Sequence, residues 1–160
     1  MKKVIWVLVF LCLSPLPLST AMAGRTDRMC YGFESRTARV KERIAWYEKV
    51  LYDDLAGLKQ DRARTQRNPR LALADEKLSL AIRLCNDALN QVQVLRDRVP
   101  RDIDCGERHR AVRRTVDSEV MALTEVEGQI SNLSIMVNQY RTLRLEAASI
   151  IQNVEGGSRY

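Results

Sequence analysis

Apolar side chains recur at steps of three and four residues along most of the chain, which is the spacing of one face of an α-helix. The pattern is clearest between residues 71 and 99, where one stripe continues through four heptads. The stripe consists of Leu71, Ala74, Leu78, Ala81, Cys85, Ala88, Val92, Leu95 and Val99. Its alanines allow a neighbouring helix to approach closely. This segment predicts a helix over about residues 70–99 that packs along its whole length.

Two further segments repeat this spacing. Residues 34–66 carry a weaker stripe, formed by Val40, Ile44, Tyr47, Leu51, Leu55 and Leu58. Asp54 and Asp61 fall on or near that face, so we expect its far end to be loosely packed. Residues 107–154 carry two rows, Val116, Leu123, Ile130, Val137 and Ile151 beside Val126, Leu133, Tyr140, Ala147 and Val154. Arg144 interrupts the first row and Glu119 the second.

Prolines separate these segments. Pro69 and Pro100 lie where the apolar periodicity is reset, because proline interrupts a helix. Short connections make neighbouring helices antiparallel. The sequence therefore predicts an all-α fold, an antiparallel up-down-up three-helix bundle or coiled-coil rod over residues 34–155. The expected helices span about 34–66, 70–99 and 107–154, and a flexible tail follows at 156–160.

The third predicted helix is longer than the other two, at about 70 Å against about 45–50 Å. If it is straight, its surplus at residues 140–154 is uncovered. That surplus carries an apolar tail formed by Leu143, Ile150, Ile151 and Val154. Two interpretations compete: a kink or fold-back near Gly128 or Asn138, or dimerisation or docking to another helix.

The first 23 residues follow a different pattern. Lys2 and Lys3 precede an unbroken apolar run at residues 4–13, and Ala21 and Ala23 occupy the −3 and −1 positions before Gly24. This pattern is typical of a secretory signal peptide. As a helix the apolar run spans only about 15 Å, half the thickness of a bilayer's hydrocarbon core, which argues against a membrane span. An uncleaved N-terminal anchor is the alternative interpretation. We expect cleavage after residue 23, export to the periplasm, and an N-terminal segment at 24–33.

Cleavage changes the composition. The full chain has 160 residues, 26 basic and 20 acidic side chains and a single histidine. The leader carries two lysines and no acidic residue, so the net charge falls from +6 to +4. The length fits one domain and excludes a multidomain enzyme.

The positive charge gathers where an antiparallel register brings the N-terminus beside the second loop. This basic end comprises Arg36, Arg39, Arg43, Arg98, Arg101, Arg108, Arg110, Arg113 and Arg114. Tyr31, Phe33, Trp46, Tyr47 and Tyr52 lie near it; most are expected in the core, and an exposed Tyr31–Phe33 pair would suit docking. The basic end favours acidic protein surfaces or anionic lipid, unless it is a solvated face of ion pairs. Nucleic acid is not expected, because no base-stacking motif accompanies the arginines.

Three cysteines remain after cleavage, and disulfides persist in an oxidising compartment. A turn at Asn68-Pro69 places residue 36 opposite about residue 101, so Cys30 falls near Cys105. Cys85 lies about 20 Å from that end. We therefore expect a Cys30–Cys105 disulfide and a free, buried Cys85 thiol, with an intermolecular Cys85 disulfide as the alternative.

Catalytic and metal-binding patterns are weak. The chain has no G-x-S-x-G and no glycine-rich phosphate loop, and Asp53 and Asp54 point about 100° apart on a helix. Cys30, Cys105 and His109 offer at most three zinc ligands, two of them in the expected disulfide. We expect no enzyme activity, no cofactor and no metal site.

These features predict a non-enzymatic exported interaction module, an accessory or scaffold subunit of an envelope or secretion assembly. Its expected partners are proteins, including a second copy bound through the apolar tail, with peripheral contact to an anionic envelope surface. One alternative is a holdase-type chaperone for unfolded clients. Another is a metal- or redox-responsive sensor built on Cys30, Cys105 and His109.

Overall fold

The protein folds into three long helices. The computed structural model describes the backbone of residues 18–100 and 109–156, and within these the side chains of residues 30–100 and 116–156. The helices are α1 (Leu18–Thr65), α2 (Ala72–Arg98) and α3 (His109–Gly156). No strand occurs in this described part of the chain. The helices pack together, which confirms the all-α three-helix bundle.

The core follows the heptad stripes. The stripe of α2 is buried from Leu71 to Leu95, and its alanines Ala74, Ala81 and Ala88 are fully buried against the neighbouring helices. On α3 both predicted rows are buried from Val116 to Ala147, apart from the positions held by Glu119 and Arg144. A seam of this kind stabilises a bundle because each side chain fills a space between residues of the facing helices.

The connection between α1 and α2 is short and held by local hydrogen bonds. After α1 ends, a 3₁₀ turn occupies Pro69–Leu71, and the Asn68 side chain accepts a hydrogen bond from the Arg70 N–H at 3.0 Å. The buried Thr65 hydroxyl lies 3.2 Å from Oδ1 of Asp75 in the first turns of α2, and Arg62 Nε donates to the same oxygen at 3.2 Å. These bonds fix the antiparallel register of α1 and α2.

The first helix begins well before the expected start near Glu34. The segment at 24–33 belongs to α1, and the predicted cleavage site lies within that helix. The buried stripe continues upstream through Thr37, Phe33 and Cys30 at the same spacing of three and four residues. No proline follows Pro17 until Pro69, so nothing in this segment stops the helix from extending toward the N-terminus. Residues 1–17 of the predicted leader and 157–160 of the predicted tail lie outside the described residues.

The ion pairs between α2 and α3 set how these helices align. Lys77 Nζ lies 2.6 Å from Glu146 Oε2, and Arg98 Nη1 lies 3.4 Å from Glu125 Oε1. The C-terminal part of α3 therefore runs along α2, and the surplus of α3 lies at its N-terminal end, beside the early part of α1. The surplus expected at residues 140–154 is consequently covered, because both α1 and α2 reach that level.

Candidate functional site on the outer face of α1

A row of exposed side chains on α1 forms the candidate site. We call Tyr31, Arg39, Arg43 and Trp46 the outer face, because all four are exposed and lie within a sector of about 120° of α1 that excludes the buried stripe. Tyr31 is 76% exposed and Trp46 is 56% exposed. Solvent-exposed aromatic rings of this size are typical of contact surfaces.

Of the other aromatic residues predicted near this end, Tyr52 is also exposed, at 51%, and the remaining two are buried. Phe33 and Tyr47 are buried in the core, so the expected exposed Tyr31–Phe33 pair does not form. Neighbouring residues on a helix point about 100° apart, and those two residues fall on the apolar stripe. The Tyr47 ring also meets the Trp46 ring edge to face, with centroids 4.9 Å apart. This contact orients the indole at the boundary between the core and the outer face.

Arg36 is committed to an internal ion pair. Its Nε donates to Glu127 Oε1 on α3 at 2.8 Å, and its Nη2 donates to Thr124 Oγ1 at 3.1 Å. This hydrogen bond lowers the pKa of Glu127 against the opposing effect of partial burial, and the nearby charges of Arg39 and Arg43 lower it further. The same pair raises the pKa of Arg36. The Arg36 charge is thus used to join α1 to α3.

The charges of Arg39 and Arg43 are not used in ion pairs with the described side chains and are available to a partner. The Arg39 Nε donates at 3.3 Å to the backbone carbonyl of Ser35, and neither arginine forms an ion pair with the described side chains. Arg98 pairs with the exposed Glu125 at 3.4 Å. The basic end is therefore divided into paired arginines, Arg36 and Arg98, and two arginines that face solvent on α1.

The rest of the predicted basic end lies outside the side chains that the structure describes. Arg101 and Arg108 lie outside the described residues, and so do the side chains of Arg110, Arg113 and Arg114 in the first turns of α3.

The cysteines differ in state. Cys30 is buried and disulfide-bonded, and the other half of this disulfide lies outside the described residues, as does Cys105. Cys85 is a free thiol with no exposed surface, and its Sγ donates to the Leu51 carbonyl at 3.4 Å. Burial, assisted by the charge of Asp54, raises the pKa of Cys85 to about 11. The thiol is therefore protonated and shielded.

Two polar pairs lie where the sequence suggested loose packing. The Tyr140 hydroxyl donates to Asp54 Oδ2 at 2.6 Å, and Arg141 Nη2 donates to the same oxygen at 2.9 Å. Farther along, Arg144 Nε donates to Asp61 Oδ2 at 2.9 Å. The expectation of a loosely packed end is wrong, because the polar positions that interrupt the stripes of α1 and α3 lie opposite each other.

The apolar tail is half-buried against the core. Leu143, Ile150, Ile151 and Val154 all pack on it, because α2 covers one side of this part of α3. α3 is continuous from His109 to Gly156, so the alternative fold-back near Gly128 or Asn138 does not occur.

A second apolar stripe on α2 was not predicted from the sequence. Leu73, Leu80 and Val94 are exposed and Leu84 is half-buried, all on one flank of the helix. The stripe could have been found in the sequence from its heptad spacing, with seven residues between Leu73 and Leu80 and fourteen between Leu80 and Val94.

A cleft of about 380 Å³ lies between α1 and the end of α2. Its lining residues are Lys41, Ile44, Ala45, Glu48, Arg96, Val99 and Pro100. Arg96 Nη1 lies 3.1 Å from Glu48 Oε1, so the charges at this cleft include an internal pair.

No three Cys, His, Asp or Glu side chains among those described lie close enough to hold a metal ion, and Cys105 and the His109 side chain lie outside that set. None of the helices in the described part combines the length and apolar content that crossing a membrane requires.

Comparison with protein-family models, with curated proteins and with solved structures finds no match to this chain.

Proposed function

We propose that the protein is a non-enzymatic, exported interaction module, an accessory or scaffold subunit of an envelope or secretion assembly. The observation that carries this proposal is the outer face of α1. Tyr31 and Trp46 lie about 22 Å apart along the helix and bracket two arginines that lack ion pairs with described side chains. Aromatic residues and arginine are the residue types that contribute most binding energy in protein interfaces.

The partner that fits the outer face is a protein surface with acidic groups opposite Arg39 and Arg43. Glu42 is exposed beside Arg39 and Arg43, so the net charge of this row is small. Attraction to anionic lipid grows by about 1 kcal/mol for each basic residue near the surface, and a mixed row gains little from it. A mixed row does gain specificity from a partner with complementary charges at matching positions. We therefore favour a defined protein partner over the lipid surface.

Export is part of the proposal. The leader pattern of residues 1–23 and the disulfide-bonded state of Cys30 both support an oxidising compartment such as the periplasm, because disulfides persist there. We assign Cys105 as the second half of this disulfide. Such a bond would tie the second loop to the end of the bundle that carries the outer face.

In-cell photocrosslinking tests the proposal. A photoreactive phenylalanine analogue replaces Trp46 in one strain and Ile135, an exposed apolar residue of α3, in a control strain. We expect one dominant protein adduct from position 46 and none of that mass from position 135. The adduct should be lost in the Arg39→Glu/Arg43→Glu background and kept in an Arg64→Glu background, since Arg64 is an exposed arginine at the far end of α1.

The other outcomes contradict the proposal in distinct ways. A broad set of adducts without a dominant mass would indicate a holdase-type chaperone. Lipid adducts alone would indicate binding to the envelope surface. An adduct that persists after both arginines are reversed would exclude the outer face as the docking surface.

A further inference from the structure

An apolar strip on the flank of α2 is exposed to solvent. Leu73 is 55%, Leu80 40% and Val94 47% exposed, and Leu84 is half-buried between them. The positions follow a heptad repeat, so they form a straight seam along more than 30 Å of helix. Single exposed leucines are ordinary on a protein surface. An exposed apolar strip as long as the seam of a coiled coil is not, and usually marks a contact surface.

The strip continues onto α3. Lys77 pairs with Glu146, and Leu73 and Leu80 lie one turn to either side of Lys77 on the same flank of α2. On α3, Ile150 and Leu143 lie one turn to either side of Glu146, and both are half-buried. The antiparallel register therefore places Leu73 level with Ile150 and Leu80 level with Leu143. The α2 strip, as we call it, is bordered along α3 by further apolar surface.

The two charged residues at the centre of the α2 strip would complement each other between two antiparallel copies of the chain. Arg83 and Asp87 are exposed near Leu84, and neither forms an ion pair with the described side chains. Asp87 occupies the one acidic position in the heptad row of Leu73, Leu80 and Val94. Covering this carboxylate with an apolar surface would be costly unless a basic group reached it. Arg83 of a second copy, running antiparallel, meets this need.

We propose that the α2 strip binds a second copy of this chain, with the two α2 helices antiparallel about a two-fold axis near Leu84. A two-fold contact uses the same patch on both copies, so each patch must be complementary to itself. Here Leu84 lies over Leu84 of the second copy, and Leu73 lies over Val94. The same register places Leu80 level with Asp87 of the other copy, and Arg83, about 4.5 Å farther along the axis, extends to that carboxylate. Two equivalent ion pairs therefore flank the axis.

This dimer goes beyond the proposed function and does not depend on it. The α2 strip is on α2 and the adjoining side of α3, whereas the outer face is on α1. The dimer therefore presents two copies of the outer face, and a partner with two acidic sites would bind it with increased avidity. The half-buried Leu143 and Ile150 of the predicted apolar tail border the dimer contact without forming its centre.

Sedimentation equilibrium of the purified protein gives the first test. We expect a monomer–dimer equilibrium for the native sequence. Arg83→Asp and Asp87→Arg should each weaken dimerisation at least about tenfold, because like charges then face each other across the axis. The double variant Arg83→Asp/Asp87→Arg restores opposite charges and should recover dimerisation to within about threefold of the native value.

Matched substitutions separate the strip from general surface effects. Leu80→Glu should abolish the dimer. Leu145→Glu should leave it unchanged, because Leu145 is exposed next to the side of α3 from which Arg141 reaches Asp54 of α1. Helicity and melting temperature show whether each variant is folded. A monomer at every concentration up to about 0.2 mM would overturn the proposal, since such a dissociation constant corresponds to a very weak contact.

Disulfide trapping gives an independent readout. On mild oxidation Leu84→Cys should form a covalent dimer, because the axis brings position 84 of both copies together, and Leu145→Cys should not. A dimer that forms in solution but resists both charge reversal and trapping at position 84 would place the contact elsewhere and overturn the assignment of the α2 strip.

Discussion

At the scale of single residues, two buried threonines of α1 have opposite environments. The Thr65 hydroxyl lies 2.9 Å from the Arg62 carbonyl and 3.2 Å from Asp75 Oδ1. The Thr37 hydroxyl is equally buried and has no hydrogen-bond partner among the described residues. A buried hydroxyl without a partner costs free energy, because it has lost its bonds to water. The two sites should therefore respond in opposite directions to the same substitution.

Thr37→Val should stabilise the protein by about 1 kcal/mol, because valine keeps the shape and removes the unpaired hydroxyl. Thr65→Val should destabilise it by about 1–2 kcal/mol, because Asp75 loses a donor in a partly buried place. Urea unfolding followed by circular dichroism measures both free energies of unfolding. Equal losses at the two sites would contradict the assignment of Thr37 as an unpaired hydroxyl.

Cys85 should be unreactive toward thiol reagents while the protein is folded. Its raised pKa of about 11 keeps the thiol protonated, and the side chain has no exposed surface. A raised folded-state pKa favours the folded state at pH values below the ordinary value of 9.0, and this contribution is lost as the pH rises toward about 11. Alkylation by iodoacetamide at pH 8, followed by mass spectrometry, should label Cys85 only when urea unfolds the chain. Rapid labelling of the native protein would indicate local opening around Leu51.

At the scale of elements, two of the glycines in the helices have different surroundings. Gly128 in α3 has open space around the position of a Cβ, whereas a Cβ at Gly57 in α1 would lie 2.9 Å from Arg144 Nη2. The missing side chain at Gly57 lets the Arg144 guanidinium cross α1 and reach Asp61 at 2.9 Å. Glycine in a helix costs stability relative to alanine. The close approach of the Arg144 guanidinium offsets this cost at Gly57, and nothing comparable offsets it at Gly128.

Gly128→Ala should stabilise the protein by about 0.5–1 kcal/mol, the ordinary difference in helix propensity. Gly57→Ala should give less, because the guanidinium of Arg144 has to move away from Asp61. In an Arg144→Gln background the two alanine substitutions should become equal, as measured by thermal unfolding. Equal gains in the native background would show that Gly57 has no role in the ion pair.

The ion pairs between α1 and α3 also specify the direction of these helices. Near the start of the bundle, the cation is on α1 and the anion on α3, as in Arg36 with Glu127. Near the other end the signs are exchanged, as in Asp54 with Arg141 and Asp61 with Arg144. An antiparallel alignment would bring like charges together and is disfavoured. The exchange of signs thus selects the parallel arrangement of α1 and α3.

At the scale of the whole molecule, the Arg36–Glu127 pair should contribute to acid sensitivity. The folded state lowers the pKa of Glu127 below its ordinary value of 4.5, chiefly through the hydrogen bond from Arg36. A lowered pKa stabilises the folded state above pH 4.5, and this contribution is lost as the pH falls through the lower folded-state value. Glu127→Gln should therefore destabilise the protein at pH 7 and make little difference near pH 2.

Glu125→Gln is the matched control for that measurement. Glu125 and Arg98 are both more than half exposed and lie 3.4 Å apart, so water screens their attraction and the substitution should have little effect. Unfolding free energies of the native, Glu127→Gln and Glu125→Gln proteins at pH 7 and pH 2 compare the two sites. A constant difference between native and Glu127→Gln proteins across this range would contradict a lowered pKa of Glu127.

Most of the fold could be predicted from the sequence, because heptad spacing is a local property that states which side of each helix is buried. The stripe of α2 and the rows of α3 show this. The start of α1 could not be predicted in the same way, because Cys30, Phe33 and Thr37 continue a stripe that mixed polarity conceals. The outer face was predicted in part: its arginines were identified, but the exposure of Trp46 and the burial of Phe33 depend on how α1 is rotated against its neighbours.

The amino-acid sequence by itself determined the helices, the turn at Asn68-Pro69 and the buried stripes, because backbone propensity, proline and apolar periodicity act over a few residues. Only the tertiary structure decided which polar residues meet. It paired Asp54 and Asp61 with Arg141 and Arg144, used Arg36 for Glu127, and placed the surplus of α3 at its N-terminal end. The physical reason is register. A shift of one helical turn changes every partner between helices while leaving each stripe buried, so the periodicity alone cannot specify it.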